Sequence, residues 1–387
     1  MEKVVFPDYS HSNLNFVSSL TRHFGLRSNA LPLANLPVDS FQKKHLIFLI
    51  LDGFGANLLS EFNLPFLQAH LINTLTSVFP STTTSAIPSL LSGKFPLEHG
   101  ALGWSLYFKE LARLIAYLPA HEHITNENLN SKEYPIYKII DFESMFSQIK
   151  AQNPDLDMHY LVPKYISKSD FTRKMGNNAP IHGVTSFPKM LKKMTKILKK
   201  AKKRTFFYCY YTQPDSLEHE YGVFSNEVKN FMENADAELE KIGKKLESFN
   251  AEMFITADHG LIDIEEYICI NDYHEIYDAM LYPLFPEGRF ASFFIKPHKK
   301  AIFEASMKQF EQDFLLLTRE EFFTKKLLGN GVPHPKIDDF IGDYIAIAIG
   351  RKAFRATYPN QNKQTFLKAH HCGLTASEMD VPLIRII

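Results

Sequence analysis

The 387-residue sequence has no surplus of either charge: 43 lysines and arginines face 43 aspartates and glutamates. Without a basic excess it is a poor candidate for a stable nucleic-acid complex, although a nucleotide as a small substrate is untouched by that argument. Only three cysteines occur, Cys209, Cys269 and Cys372, and none belongs to a Cys-x-x-Cys pair. So few thiols give no disulfide framework, and a reducing compartment is the simplest reading. No apolar run approaches the roughly 18 residues of a membrane span. The segment from Met1 to Phe16 places an early acid, a proline and polar side chains where a signal peptide needs an apolar core. The expectation is a soluble, cytoplasmic protein with no transmembrane segment; secretion without a cleaved signal would leave no mark in the sequence. There is no internal repeat, no low-complexity linker and no sign of a protein partner.

What the sequence does have is a series of apolar runs that each stop at a polar turn. His45 to Leu51 (HLIFLIL) stops at Asp52-Gly53, Thr205 to Tyr211 (TFFYCYY) at Thr212-Gln213-Pro214-Asp215, and Met253 to Ala257 (MFITA) at Asp258-His259-Gly260. Met158 to Val162, Arg289 to Ile295 and Tyr344 to Ile349 are further strand candidates. Continuous apolar runs of this length suit strands covered on both faces, as in a parallel sheet. Between them lie helical patterns. The best is Lys189 to Lys203, where Met190, Leu191, Met194, Ile197, Leu198 and Ala201 fall on one face behind Pro188. Alternating strands and helices predict a three-layer α/β/α architecture around a mostly parallel sheet. Residues 1–387 are read as one catalytic domain, with a cap or insertion within about 261–339, where the pattern is less regular.

Ligands of parallel α/β sheets gather beyond the carboxyl ends of the strands. Three strands are predicted to end near an aspartate: Asp52, Asp215 and Asp258. His219 follows Asp215 four residues on, and His259 follows Asp258 directly. Singly, each is an ordinary turn residue; together they place carboxylates and imidazoles on one edge, a donor mixture that suits Zn, Mn or Fe. A second segment, Phe79 to Gly93 (FPSTTTSAIPSLLSG), runs from a predicted strand, Leu75 to Phe79, through hydroxyls into an apolar helical stretch. A hydroxyl at a helix N-terminus sits in a positive potential that binds phosphate; plain N-capping is the alternative. The third segment is His370-His371-Cys372-Gly373-Leu374.

In this order the segments resemble the alkaline phosphatase superfamily, and within it the type I phosphodiesterase/nucleotide pyrophosphatase family. ILDGFG matches its first Asp-Gly motif at Asp52. FPSTTTSAIPSLLSG matches its nucleophile motif in the register that selects Thr83. FPLEHG matches at His99-Gly100, and the Pro-Asp-x-x-x-His and Asp-His-Gly motifs match Asp215 with His219 and Asp258 with His259. HHCGLTASEMDVPLI resembles the ending of related metal-dependent mutases and phosphatases, in a register that selects His371. The resemblance implies two divalent metal ions, Zn with Mn as the alternative. One would take Asp215, His219 and His371; the other would take Asp52, Asp258, His259 and the oxygen of Thr83. It implies a phosphothreonine-type intermediate on Thr83, and a small phosphodiester or nucleotide pyrophosphate as substrate. Trp104 is a departure: the diesterase branch usually has an asparagine there, 21 residues after the nucleophile, holding a phosphate oxygen. Trp104 is thus a candidate substrate-binding residue, by its indole N–H or by stacking, with simple packing as the alternative. A phosphomonoesterase or phosphonate hydrolase, and a catalytically silent metal-containing binding protein, are the other readings.

Ser92-Gly93-Lys94 is not a P-loop, because Pro88 stands where the first glycine is needed. The segment Lys189 to Arg204 carries eight lysines and one arginine; it reads as the solvated face of a sheet-covering helix rather than a membrane or nucleic-acid contact. His121, His123 and His182 receive no role.

Overall fold

A computed structural model describes residues 2–129, 133–359, 361 and 366–387. Seven strands form the main sheet: β1 (His45–Leu51), β2 (Leu71–Thr76), β3 (Asp157–Pro163), β4 (Ile181–Val184), β5 (Thr205–Tyr211), β6 (Ala251–Thr256) and β7 (Asp380–Ile386). Their order is β2-β7-β6-β1-β5-β3-β4. All neighbouring pairs are parallel except those of β7, which is antiparallel to both β2 and β6. β1 and β5 are buried along their whole length, which is why their sequences are apolar without alternation.

The layering follows from side-chain parity. On β5, Phe206 and Tyr208 pack against Phe24 and Phe146, which belong to the C-cap of α1 (Asn13–His23) and to α3 (Met145–Gln152). Tyr211, of opposite parity, packs on Phe187 and Phe231, from α4 (Phe187–Leu198) and α6 (Asn226–Leu246). Successive strand residues point to opposite faces, so the sheet carries helices on both. The mostly parallel three-layer architecture is as the sequence predicts. The helix α2 (Thr83–Ser92) lies in the α1 layer.

Two predicted elements shift along the chain. β2 ends at Thr76, not Phe79: the Ser77 N–H bonds the Met379 carbonyl, and Val78 and Phe79 turn into the core. Apolar character alone does not separate a laddered residue from one that is merely buried. α4 begins at Phe187, capped by the Ser186 side chain accepting from Lys189 N, and stops at Leu198. Beyond Leu198 the chain must turn back to enter β5 at Thr205.

After β6 the chain builds a four-stranded antiparallel sheet in the order Phe285–Pro286, Phe290–Phe293, Tyr344–Ala348, Phe314–Thr318. It has its own apolar cluster, centred on Phe293, Phe303, Phe310, Phe314 and Phe354. None of the described helices is long and apolar enough to cross a membrane.

Candidate metal centre

Strand register brings three aspartates to one edge. Leu51 of β1 pairs with Tyr211 of β5, and Ile50 pairs with Thr256 of β6. Asp52, Asp215 and Asp258 therefore leave neighbouring strands side by side, and the Asp215 N–H donates to the Asp52 carbonyl at 2.8 Å. Asp215 opens the short helix α5 (Asp215–Tyr221), which carries His219 one turn on.

Donor atoms of Asp215, His219 and His371 all lie within 4.8 Å of one another, as do those of Asp52, Asp258 and His259. The first group has His219 Nε2 3.2 Å and His371 Nε2 3.9 Å from Asp215 Oδ1. In the second, His259 Nε2 is 3.6 Å from Asp52 Oδ1 and 3.5 Å from Asp258 Oδ2. The His259 and His371 rings, one from each group, have centroids 4.0 Å apart. Thr83 Oγ1 lies 3.1 Å from His259 Nε2 and donates to Asp52 Oδ1 at 3.4 Å. Thr82 caps α2, so Thr83 is its first residue, and Gly93 closes the helix in the left-handed region at φ 73°. The ten-residue spacing from Thr83 to Gly93 is thus the length of that helix. His99 is fully buried and tied to Ser89 Oγ at 3.0 Å and to the Ala101 N–H, an internal brace of the same region.

These residues fit divalent ions on three counts. Asp258 Oδ2 and His371 Nδ1 are buried without a hydrogen bond, and Asp215 Oδ1 faces the imidazole nitrogens of His219 and His371 at 3.2 and 3.9 Å; buried polar atoms rarely go unpartnered. His219 Nδ1 faces the Ala369 carbonyl at 2.7 Å and His259 Nδ1 faces the Gly260 carbonyl at 3.2 Å, which turns Nε2 of each toward the site, the usual arrangement of a ligating imidazole. The protonation pattern also lacks a cation. Burial, then the charges of Asp258 and Asp215, drives the Asp52 carboxyl well above its usual range. Burial and Asp215 push Asp258 up to about 7. Burial acts on Asp215 too, but the His219 charge and hydrogen bond outweigh it and hold that carboxyl low, while Asp215 carries His219 up to about 9. Burial and neighbouring histidines push His371 well down. Three buried carboxylates cannot all ionise unaided; divalent ions reverse that logic.

Several further residues support the site. The Tyr210 hydroxyl donates to Asp52 Oδ2. Glu218 is fully buried beside the site, with neither oxygen hydrogen-bonded. Arg289 and Glu378 form a fully buried bidentate pair at 2.7 Å, and Glu378 also accepts from Gly373 N and Thr375 N, fixing the loop after His371. Glu287 accepts from Trp104 N at 2.6 Å and from Thr82 Oγ1 at 3.2 Å. Of these, Glu378 lies within the HHCGLTASEMDVPLI ending and Tyr210 at the end of an apolar run; the others had no signal in the sequence.

Trp104 is 40% exposed and lines a cavity of about 570 Å³ with His121, His123, Tyr267, Glu287 and His370. His123 Nδ1 meets Ser105 Oγ at 2.6 Å. His182 lies apart, beside His159 at 3.1 Å, where β3 and β4 form one end of the sheet.

The fold has recognisable counterparts. The chain is similar to an inactive threonine-to-alanine variant of murine ectonucleotide pyrophosphatase/phosphodiesterase 5 in complex with AMP. The identity is 17%, 87% of each chain is covered and the TM-score is 0.61. It is also similar to phosphonoacetate hydrolase from Sinorhizobium meliloti in complex with phosphonoformate, with 18% identity, 88% of this chain and 89% of that chain covered, and a TM-score of 0.62. At such identities the likeness speaks for the fold. No curated protein matches the chain. The profile of the type I phosphodiesterase/nucleotide pyrophosphatase family, however, matches residues 46–371, which include both donor groups and Thr83. The chain therefore belongs to the type I phosphodiesterase/nucleotide pyrophosphatase family of the alkaline phosphatase superfamily and is a phosphoester hydrolase of that family.

Proposed function

We propose that this protein hydrolyses phosphodiesters or nucleotide pyrophosphates in two steps, with Thr83 as nucleophile. The observation that carries the reading is the placement of Thr83 Oγ1 beside Asp52 and His259, with the Asp215, His219 and His371 group next to them. Asp52, Asp258 and His259, with Thr83 Oγ1, would hold one divalent ion, and Asp215, His219 and His371 the other. Bound there, two such ions would lower the cost of an alkoxide and stabilise charge on the attacking and leaving oxygens. Zn suits this donor set best, with Mn as the alternative.

The chain's own residues supply the rest. α2 directs its positive end at the phosphate. Thr83 Oγ1 gives up its proton to solvent and attacks phosphorus in line, the bond to the leaving group breaks as an alcohol or, from a pyrophosphate, a phosphate departs, and the phosphoryl group with its remaining ester substituent is left joined to Thr83 by a new phosphorus–oxygen bond. Water then breaks that phosphorus–oxygen bond and regenerates the hydroxyl. The Tyr210 hydroxyl and the carbonyls of Ala369 and Gly260 orient Asp52, His219 and His259 throughout. That a threonine-to-alanine change accompanies inactivity in the murine neighbour supports a threonine nucleophile.

The test is Thr83→Ala in metal-reconstituted protein. Turnover should fall by several orders of magnitude while elemental analysis still finds both ions; retained turnover would overturn the assignment. A second reading, a monoesterase or phosphonate hydrolase, is favoured by Trp104 in place of the family's asparagine and by the phosphonoacetate hydrolase neighbour. Turnover of an aryl phosphodiester against the matching monoester separates the two.

A further inference from the structure

We propose that Glu287 is a specificity-determining residue, selecting phosphodiesters that carry an uncharged, hydroxyl-bearing substituent over phosphomonoesters and nucleotide pyrophosphates. The inference rests on the phosphoester-hydrolase reading and narrows its substrate class.

Glu287 reaches the site from the antiparallel sheet after β6, immediately past Phe285–Pro286. It is nine-tenths buried. Its Oε1 takes both protein donors, Trp104 N at 2.6 Å and Thr82 Oγ1 at 3.2 Å. Thr82 is the cap of α2 and the residue before Thr83, so this carboxyl is fixed one residue from the nucleophile. The turn that presents Trp104 is packed on it: a Cβ at Gly103 would lie 2.5 Å from Pro286 Cβ and 3.2 Å from Glu287 Cγ. Glu287 also lines the cavity that runs between Trp104 and His370, the neighbour of His371. A substituent on phosphorus held at Thr83 that extends into this cavity passes Glu287.

The chemistry of that passage is an acceptor's. A buried carboxylate beside the phosphate favours groups that donate, such as the hydroxyls of a polyol, and penalises further negative charge on phosphorus. A diester brings one negative charge; a monoester dianion or a pyrophosphate brings more. Among the described lining residues the one guanidinium, that of Arg355, lies over the Phe366 ring at 4.9 Å, whereas Glu287 is bonded to Thr82 beside the nucleophile position. Among the described residues no lysine lines the cavity. Burial pushes the Glu287 carboxyl up to about 7, so an assay well above that value examines the anion.

The experiment compares metal-loaded wild type with Glu287→Gln, which keeps an acceptor for Trp104 N and Thr82 while removing the charge. Substrates are a glyceryl aryl phosphodiester and the matching aryl monoester, and binding of inorganic phosphate is titrated by calorimetry. The variant should raise the monoester-to-diester ratio of kcat/KM about tenfold and tighten inorganic phosphate by a similar factor. Glu287→Ala should move both readouts the same way and stands in if the glutamine variant folds poorly. A ratio and a phosphate affinity both unchanged in folded variants would overturn the proposal, because a merely structural carboxyl moves neither. Wild type that binds metal but cleaves no phosphoester would sink the hydrolase reading instead, and the phosphate titration would still decide the role of Glu287.

Discussion

Gly53→Ala tests how closely the backbone must approach itself to bring the two donor groups together. Gly53 has φ 78°, and its N–H donates to Asp258 Oδ1 at 3.2 Å. A methyl group there would lie 2.7 Å from Asp215 Cα, 2.8 Å from Asp215 Cβ and 2.7 Å from Glu218 Oε2. Two of those atoms belong to the start of α5 and cannot swing aside. Gly25 is the natural control, with φ 82° and nothing within 4 Å of the same construction. The left-handed backbone alone costs alanine about 1 kcal/mol; overpacking a rigid site adds about 1–3 kcal/mol. For a chain of this length, unfolding entropy makes each kcal/mol worth roughly 1 °C in Tm. In excess chelator, Gly25→Ala should lose about 1 °C and Gly53→Ala about 2–4 °C. Because Asp215 must move, metal affinity of Gly53→Ala should also fall about 10- to 100-fold, read by competition with a chromophoric chelator. If the two variants melt alike and bind metal alike, the close approach of Gly53 to Asp215 is not what sets the geometry of the site.

Tyr210→Phe removes the donor that orients Asp52 Oδ2; metal affinity or turnover should drop about 10- to 100-fold with little change in Tm, and unaltered values in both would exclude an orienting role. Arg289→Met strands the fully buried Glu378, so stability should fall by about 3–5 kcal/mol in denaturant titration, with loosened metal binding at His371; a loss below about 1 kcal/mol would show the pair to be dispensable. The pH dependence has a definite sign. Asp258 is raised from its ordinary 3.8 to about 7 by burial and Asp215, so the metal-free fold favours the protonated acid. Its stability should fall as pH rises from about 4 to about 7, by on the order of 4 kcal/mol at most. The Tm gap between metal-loaded and chelated protein should widen through that window, and a gap independent of pH would contradict the burial argument.

What was legible in the sequence was what local chemistry dictates. HLIFLIL and TFFYCYY read as doubly covered strands because every residue of β1 and β5 is buried. Asp52, Asp215 and Asp258 could be placed on one edge because parallel strands all deliver their carboxyl ends to the same side. The choice of His371 over His370 needed a motif register; in the fold, His371 groups with Asp215 and His219, while His370 faces the cavity beside Trp104. The residues that escaped the reading share a different property. Glu287 lies 205 positions from Thr82 in the sequence, and reaches it only because an antiparallel sheet folds back over the edge that holds the donor groups; Arg289, two residues on, reaches Glu378 in the loop after His371 by the same route. A glutamate in FPEGRF has no periodicity or spacing that marks it, and its partners, a backbone N–H and the Thr82 hydroxyl, are invisible until the tertiary structure exists. The candidate metal donors and the proposed nucleophile sit on strand ends and a helix start, where spacing is fixed by secondary structure. The walls that would choose a substrate sit on elements whose approach to that edge is set by packing. Trp104 joins the two: it stands at a fixed distance from Thr83 along the chain, yet its backbone is held by Glu287 from the distant segment. That contact runs through the backbone N–H, so Glu287 sets where residue 104 stands whatever side chain it carries.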